Sequence, residues 1–311
     1  TKSNVHGVIE RTFDRKVQAQ SIKDFTQSLG SRTTTYIDWS EAVDVSYFNG
    51  RGTELEQLTG WLSDQPAYCR LVALLGMGGI GKSSLSVKLA QQVKNQYQFV
   101  IWRSLKDAPL LQELLQDLIK VLSNHQEVLI PDKPGNQISK LIQYLKTSRC
   151  LIILDNFESL LESGQQAGCY LNGYEAYGEL LQRVGEIPHS SCLLLTSREK
   201  PSEIAALEGE SLPVRSMALS GLDLSAAQTV LRTKGLSGTE ADIETLVQCY
   251  QGNPLALKIA TTSILDLFEG DIRDFLNQGT VVFNGIRNLL DRQIRRLSSI
   301  EVQIMYWLAI N

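Results

Sequence analysis

The 311-residue sequence has no apolar run long enough to cross a bilayer and no basic segment followed by an apolar one at its start. A transmembrane helix needs about 20 consecutive apolar residues, whereas runs such as 71–81 are short and interrupted by glycines. We therefore expect neither a membrane span nor a signal peptide. The sequence begins with Thr1 and ends in the apolar stretch 304–310, so we interpret it as a piece of a longer chain.

Cysteine and histidine are scarce, and neither residue type occurs at metal-binding spacing. The five cysteines include no C-x-x-C pair, and the three histidines are far apart. An odd number of cysteines near apolar runs is typical of buried free thiols in a reducing compartment, so we expect a cytoplasmic protein. A net charge of −4 disfavours a general nucleic-acid binder, and a hydrophobic content of 43% excludes a disordered chain.

The sequence pattern changes along the chain and predicts several domains. Residues 1–43 contain two short helical patterns and a polar linker, which we interpret as the tail of an upstream helical or effector domain. Over residues 44–220, apolar runs alternate with amphipathic helical patterns, as is typical of βαβ units with a parallel sheet. Only helical patterns occur after residue 220, so residues 221–285 predict a small helical domain and 286–311 the start of another.

A glycine-rich segment between an apolar run and a helical pattern is the strongest chemical signal. Residues 76–83, Gly-Met-Gly-Gly-Ile-Gly-Lys-Ser, fit the pattern G-x-x-x-x-G-K-[ST]. Glycines let backbone N–H groups surround a phosphate, and the positive end of the following helix adds to the attraction. We expect Lys82 on the β- and γ-phosphates and the Ser83 hydroxyl on Mg²⁺. The predicted binding residues of this segment are Gly76, Gly78, Gly79, Ile80, Gly81, Lys82, Ser83 and Ser84.

Two later apolar runs are each followed by a charged residue. Asp155 ends the run 151–154, and Arg198 follows the run 193–195 after two hydroxyl residues. Because the carboxyl ends of parallel strands meet at one edge of a sheet, Asp155 is expected to orient Mg²⁺ there through water. Arg198 would contact the γ-phosphate from the same edge, although a surface arginine explains its position equally well. We take Lys82, Asp155 and Arg198 as the catalytic set.

The residue after Asp155 is an amide, whereas many ATPases of this kind have an acid there to activate water. In this sequence the position is Asn156, and Glu158 is the nearest candidate substitute. A solvated loop acid is an equally good interpretation of Glu158. We therefore expect slow hydrolysis.

With these elements the chain resembles the NB-ARC branch of the STAND signal-transduction ATPases, and in particular bacterial members that carry WD repeats. Two more segments support the resemblance. Residues 48–55, Phe-Asn-Gly-Arg-Gly-Thr-Glu-Leu, are similar to the family's adenine-contacting segment, and residues 252–257, Gly-Asn-Pro-Leu-Ala-Leu, to its G-x-P-L-A motif. The residues implied around the adenine are Phe48, Asn49 and Arg51 from the first segment, with Pro254 and Lys258 from the second.

The resemblance implies an α/β P-loop NTPase domain with a parallel sheet, a small all-α (ARC-type) domain and the start of a winged-helix domain. It implies ATP/ADP and Mg²⁺ as ligands, a closed ADP-bound resting state, and ATP-driven opening with self-association. Upstream effector and downstream sensor domains are the implied neighbours. The family's winged-helix histidine would lie beyond residue 311, and Asn156 departs from the family pattern.

Two other functions stay open. The first is a turnover ATPase or kinase, which Asn156 and the lack of a visible acceptor site disfavour. The second is a nucleotide-regulated DNA-binding protein, which the acidic net charge disfavours. Four arginines precede the presumed winged helix, and we favour an interdomain or solvated face for them over a DNA contact. They are Arg287, Arg292, Arg295 and Arg296.

Overall fold

The computed structural model describes residues 35–39, 42–63, 69–126, 130–162, 164, 168–279 and 284–310. The helices expected within residues 1–32 lie outside this part of the chain. All described residues except Thr35 belong to one compact unit, Tyr36–Asn311. None of the helices in the described part is long and apolar enough to cross a membrane.

A six-stranded sheet, parallel throughout, forms the centre of the structure up to residue 218. Its strands are β1 (Tyr36–Asp38), β2 (Leu71–Leu75), β3 (Phe99–Ser104), β4 (Cys150–Asp155), β5 (Cys192–Ser197) and β6 (Val214–Ala218). Their order in the sheet is β1-β3-β4-β5-β2-β6. The predicted parallel α/β fold is thus confirmed, and the interior of the sheet consists of β3, β4, β5 and β2.

The two edge strands were not predicted. Strand β1 exposes Tyr36 and Ile37, and β6 contains the polar pair Arg215 and Ser216, so neither reads as a buried apolar run. Tyr36 pairs with Phe99 of β3. The sheet therefore begins upstream of residue 44, and a nucleotide-binding domain over residues 44–220 stays a prediction.

Helices cover both faces of the sheet. Up to residue 218, the α-helices are α1 (Gly52–Ser63), α2 (Lys82–Val93), α3 (Leu111–Leu122), α4 (Pro134–Thr147), α5 (Ala176–Glu186) and α6 (Ser202–Leu207). Along β2, Leu71 and Ala73 pack in one core with α3, α4 and α5, whereas Val72 and Leu74 pack in the other with α1 and α2. Both faces of the strand are buried, which explains its unbroken apolar sequence.

After β6, every named helix or strand in the described part of the chain is a helix, as predicted. These helices are α7 (Leu224–Thr233), α8 (Glu240–Cys249), α9 (Pro254–Phe268), α10 (Ile272–Asn277), α11 (Asn284–Ile294) and α12 (Ser299–Ile310). The first five share one hydrophobic core, to which α11 contributes Ile286 and Leu289. The division into a helical domain over residues 221–285 and a further domain from residue 286 stays a prediction. A winged-helix identity for the segment that ends with α12 stays a prediction.

The cysteines only partly match the expectation of buried thiols. Cys69, Cys150 and Cys192 are buried, as expected from the apolar runs beside them. Cys169 and Cys249 are exposed, so the expectation is wrong for these two.

Candidate nucleotide-binding site

The glycine-rich loop connects the carboxyl end of β2 to the first residue of α2. Gly76, Gly79 and Gly81 have φ angles of 148°, 79° and 100°, which side-chain-bearing residues adopt only with strain. The Gly76 N–H donates to the carbonyl of Ser197 on β5, at 3.2 Å. The glycine pattern therefore produces the predicted tight connection between a buried strand and a helix N-terminus.

Lys82 folds over this loop and is buried. Its Nζ donates to the carbonyl oxygens of Gly76, at 2.7 Å, and of Met77, at 3.1 Å. The pKa of Lys82 is lowered, and burial is the largest cause. The positive charge of Arg198 lowers this pKa further, while the negative charges of Glu158 and Asp155 oppose the shift. An ammonium group has three donors, so one N–H remains for a ligand held by the loop.

Two hydroxyl groups converge on the Asp155 carboxylate at the end of β4. Ser83 Oγ donates to Oδ1 at 2.7 Å and approaches Oδ2 at 3.0 Å, while Thr196 Oγ1 donates to Oδ1 at 2.5 Å. Burial raises the pKa of Asp155, and these hydroxyl bonds lower it. A cluster of carboxylate and hydroxyl oxygens suits a hard cation such as Mg²⁺, so Ser83 and Asp155 fit the predicted metal site.

Thr196 is a residue of this cluster that the sequence analysis missed. Its hydroxyl also accepts a hydrogen bond from the Asn156 N–H, at 3.1 Å. Its position near the end of an apolar strand run could have predicted this contact, because that strand pairs with β4, at whose end Asp155 lies. Ser84 lies in the first turn of α2, and its contact with a ligand stays a prediction.

Arg198 and Glu158 form an ion pair beside the glycine-rich loop. Arg198 Nε lies 3.0 Å from Glu158 Oε1, and a Cβ on Gly78 would come within 2.9 Å of the Arg198 guanidinium carbon. Glu158 is only 5% exposed. The interpretation of Glu158 as a solvated loop acid is therefore wrong, whereas Arg198 is partly exposed and its contact with a phosphate stays a prediction.

The start of the helical domain contacts the glycine-rich loop directly. Asn253 Nδ2 donates to the Gly78 carbonyl at 3.2 Å, and the Leu255 N–H donates to the Gly79 carbonyl at 3.2 Å. A Cβ on Gly81 would lie 4.0 Å from Pro254 Cγ. The structure thus brings together the 252–257 segment and the loop, which are far apart in sequence.

The predicted adenine residues have different surroundings. Arg51 is buried, and its Nη2 donates to the carbonyls of Ile80, at 3.0 Å, and Ser220, at 2.7 Å. Arg51 therefore anchors the loop to the chain segment after β6. Phe48 packs partly buried against the core under α1 and α2, and Asn49 is exposed. Contacts of these three residues with a base stay predictions.

Lys258 is also exposed, in the first part of α9. It follows Pro254 by one helical turn. Its predicted role at the rim of the pocket is compatible with this position and stays a prediction.

Helix α11 and the residues just after it add three contacts that the sequence did not specify. Gln293 Nε2 donates to the Gly78 carbonyl at 3.4 Å. Arg296, just after the helix, lies 3.0 Å from Glu199 and donates to the Glu158 carbonyl at 2.9 Å. Of the four arginines, Arg296 therefore makes the predicted interdomain contact, while Arg287 and Arg295 are exposed.

Comparison with known proteins shows which family part of this chain resembles. Residues 51–160 match the model of the NB-ARC domain. A WD repeat-containing protein of Nostoc sp. is 47% identical over an alignment that covers 97% of this chain and 24% of that protein. The disease resistance protein RPM1 of Arabidopsis thaliana is 26% identical over 93 residues, which are 28% of this chain and 10% of that protein. The chain thus spans about a quarter of the length of its Nostoc relative.

A solved structure shares the fold. It is a STAND protein with a tetratricopeptide repeat sensor from Pyrococcus horikoshii, with a TM-score of 0.53 and 20% identity over 71% of this chain and 30% of that chain. The NB-ARC match includes the glycine-rich loop and Asp155 and ends before Arg198 and Asn253. Residues 51–160 therefore match the NB-ARC domain model, and the predicted resemblance of the chain to the NB-ARC branch of the STAND ATPases is confirmed.

Proposed function

We propose that the chain is a nucleotide-dependent signalling switch. ADP holds the helical domain closed on the glycine-rich loop, and exchange for ATP opens the arrangement and allows self-association. The observation that carries this proposal is the pair of hydrogen bonds from Asn253 and Leu255 to the carbonyls of Gly78 and Gly79. The loop that would bind phosphates is thereby part of the contact between the two domains.

Such a contact couples binding to domain arrangement. A ligand in the loop that touches both halves binds the closed arrangement more tightly than the open one. The difference between its two affinities sets how far it shifts the population. Gln293 and Arg296 extend the same contact to α11 and the residues just after it, so this part of the chain also depends on the state of the site.

The charged groups suit a nucleoside di- or triphosphate. Lys82 would bind the β- and γ-phosphates, and Ser83 and Asp155 would hold Mg²⁺, the aspartate through water. When bound, Mg²⁺ neutralises part of the phosphate charge. Arg198 gives one of its five N–H donors to Glu158, and the others can bind a terminal phosphate that only ATP provides.

We propose that this switch acts together with domains outside the present sequence. The Nostoc relative carries WD repeats by name and is about four times as long as the aligned region. A downstream sensor of that kind and an upstream effector would give the switch its input and output. The free cysteines, two of them exposed, suit a reducing, cytoplasmic setting.

The nucleotide that copurifies with the protein tests the proposal. After denaturation and chromatography we expect ADP in the wild-type protein and little nucleotide in Lys82→Ala, because charge-assisted bonds contribute about 1.5–3 kcal/mol. Lys88→Ala, on the same helix, is the matched control and should retain ADP. Wild-type protein that purifies without nucleotide and rapidly exchanges added nucleotide would contradict the switch and favour a turnover enzyme.

A further inference from the structure

The chain turns sharply after Asp155 and directs the next acid into the site. Asn156 has a φ angle of 64°, in the left-handed region that asparagine tolerates better than most residues. Its N–H is held by Thr196, and the 3₁₀ turn Phe157–Leu160 comes directly after it. This turn brings Glu158, rather than Asn156, into the ion pair beside the loop.

The two carboxylate oxygens of Glu158 have different surroundings. Oε1 accepts a hydrogen bond from Arg198 Nε at 3.0 Å. Oε2 is buried and has no hydrogen-bond partner among the described residues. A buried carboxylate oxygen without a partner is unfavourable, so such an oxygen indicates a place for a polar ligand or a water molecule.

Glu158 also lies within electrostatic reach of the two other charged groups of the site. It raises the pKa of Lys82 more than Asp155 does, and it raises the pKa of Asp155. The carboxylate is therefore close to the side chains expected around the terminal phosphate. A solvated loop acid would be screened from both.

We propose that Glu158 is the general base of ATP hydrolysis in this protein, an inference that rests on the proposed binding of ATP. Oε2 accepts one proton from a water molecule. The water oxygen forms a bond to the γ-phosphorus, and the bond from that phosphorus to the β–γ bridging oxygen breaks. The electron pair stays with ADP, inorganic phosphate is released, and the proton later returns from Glu158 to solvent.

Arg198 positions the base in this scheme. Its hydrogen bond to Oε1 fixes the carboxylate and leaves Oε2 directed to the water. Glu158 thereby supplies the acid that is missing at position 156, and Asn156 contributes the backbone turn. A base that is correctly placed contributes about 10²–10⁴-fold to a rate.

The Glu158→Gln variant distinguishes a general base from a residue that only holds Arg198 in place. The glutamine amide oxygen can still accept from Arg198 Nε, but the amide cannot take a proton from water. In single-turnover experiments with labelled ATP and Mg²⁺, we expect hydrolysis to fall about 100-fold or more, with ATP and ADP affinities within about threefold of the wild type. Glu162→Gln, four residues along the same loop, is the matched control and should hydrolyse ATP at the wild-type rate.

Calorimetry with ADP on the same proteins distinguishes failure of this inference from failure of the proposed switch. If Glu158→Gln binds nucleotide and hydrolyses ATP as fast as the wild type, Glu158 only anchors Arg198 and the inference is overturned. Wild-type protein that binds nucleotide without hydrolysing it also overturns the inference and leaves the switch standing. Wild-type protein that binds no nucleotide overturns both.

Discussion

The side-chain amide of Asn253 donates a hydrogen bond to the main-chain carbonyl of Gly78, 3.2 Å away, across 175 residues of sequence. The Oδ1 atom of the same side chain accepts from the N–H groups of Leu255, at 3.1 Å, and Ala256, at 3.2 Å. One asparagine therefore caps helix α9 and joins that helix to the glycine-rich loop. The cap and the interdomain bond can be separated, because they use opposite ends of the amide.

Asn253→Ser should weaken ADP binding with little loss of fold stability. Serine is also a good N-cap, but its shorter side chain does not reach the Gly78 carbonyl. The loss of one neutral hydrogen bond, about 0.5–1.5 kcal/mol, predicts a threefold to tenfold weaker Kd by calorimetry. Asp271→Ser, at the N-cap of α10, is the control. Equal ADP affinities of the two variants would exclude Asn253 from the closed state.

Hydrogen exchange should show that the loop and the helical domain respond together to nucleotide. Because Leu255 donates its N–H to the Gly79 carbonyl, we expect ADP to slow exchange in residues 70–90 and also in 250–260. Mass spectrometry with and without ADP measures both segments in one experiment. Protection limited to 70–90 would indicate a P-loop domain without an interdomain clamp.

Arg198→Ala should weaken ATP binding more than ADP binding. The guanidinium lies against Gly78, and only ATP would offer it a terminal phosphate. A charge-assisted bond of about 1.5–3 kcal/mol predicts a tenfold or greater loss of ATP affinity, measured by calorimetry in the presence of Mg²⁺. Arg295→Ala, an exposed arginine, should change neither affinity. Equal losses for both nucleotides would remove Arg198 from a sensing role.

Stability should fall below about pH 6.5 because of His189. Burial lowers the pKa of His189 to about 4, and the Ser191 N–H donates to its Nδ1 at 3.3 Å, which requires an unprotonated nitrogen. The unfolded chain takes up a proton at the ordinary pKa of about 6.5. Stability is therefore fully present above pH 6.5 and is lost as the pH falls towards 4.

The loss from this one residue reaches about 3 kcal/mol at pH 4, from about 1.4 kcal/mol per pKa unit. The free energy of unfolding, measured with urea at pH 7, 5.5 and 4.5, should depend less on pH in His189→Asn than in the wild type. His125→Asn, at an exposed histidine, should follow the wild type. Identical slopes in all three proteins would show that His189 does not protonate on unfolding in this range.

Local patterns were sufficient to predict the main elements. Helices Pro254–Phe268 and Ile272–Asn277 lie within residues 221–285, where the sequence pattern predicted helices, because their apolar spacing and caps are short-range features. The glycine-rich loop and Asp155 were recognisable for a similar reason, since each follows a strand that is buried on both faces. The edge strands β1 and β6 were not recognisable, because partly exposed strands lack a continuous apolar run.

The sequence by itself determined that a phosphate-binding loop precedes a helix and that a helical half comes after the α/β half. Those features depend on residues within a few positions of each other. Only the tertiary structure decided that Glu158 is buried against Arg198, that Thr196 binds Asp155, and that Arg51 holds the loop. These contacts join residues from different strands and loops, and they exist because parallel strands deliver distant segments to the same edge of one sheet.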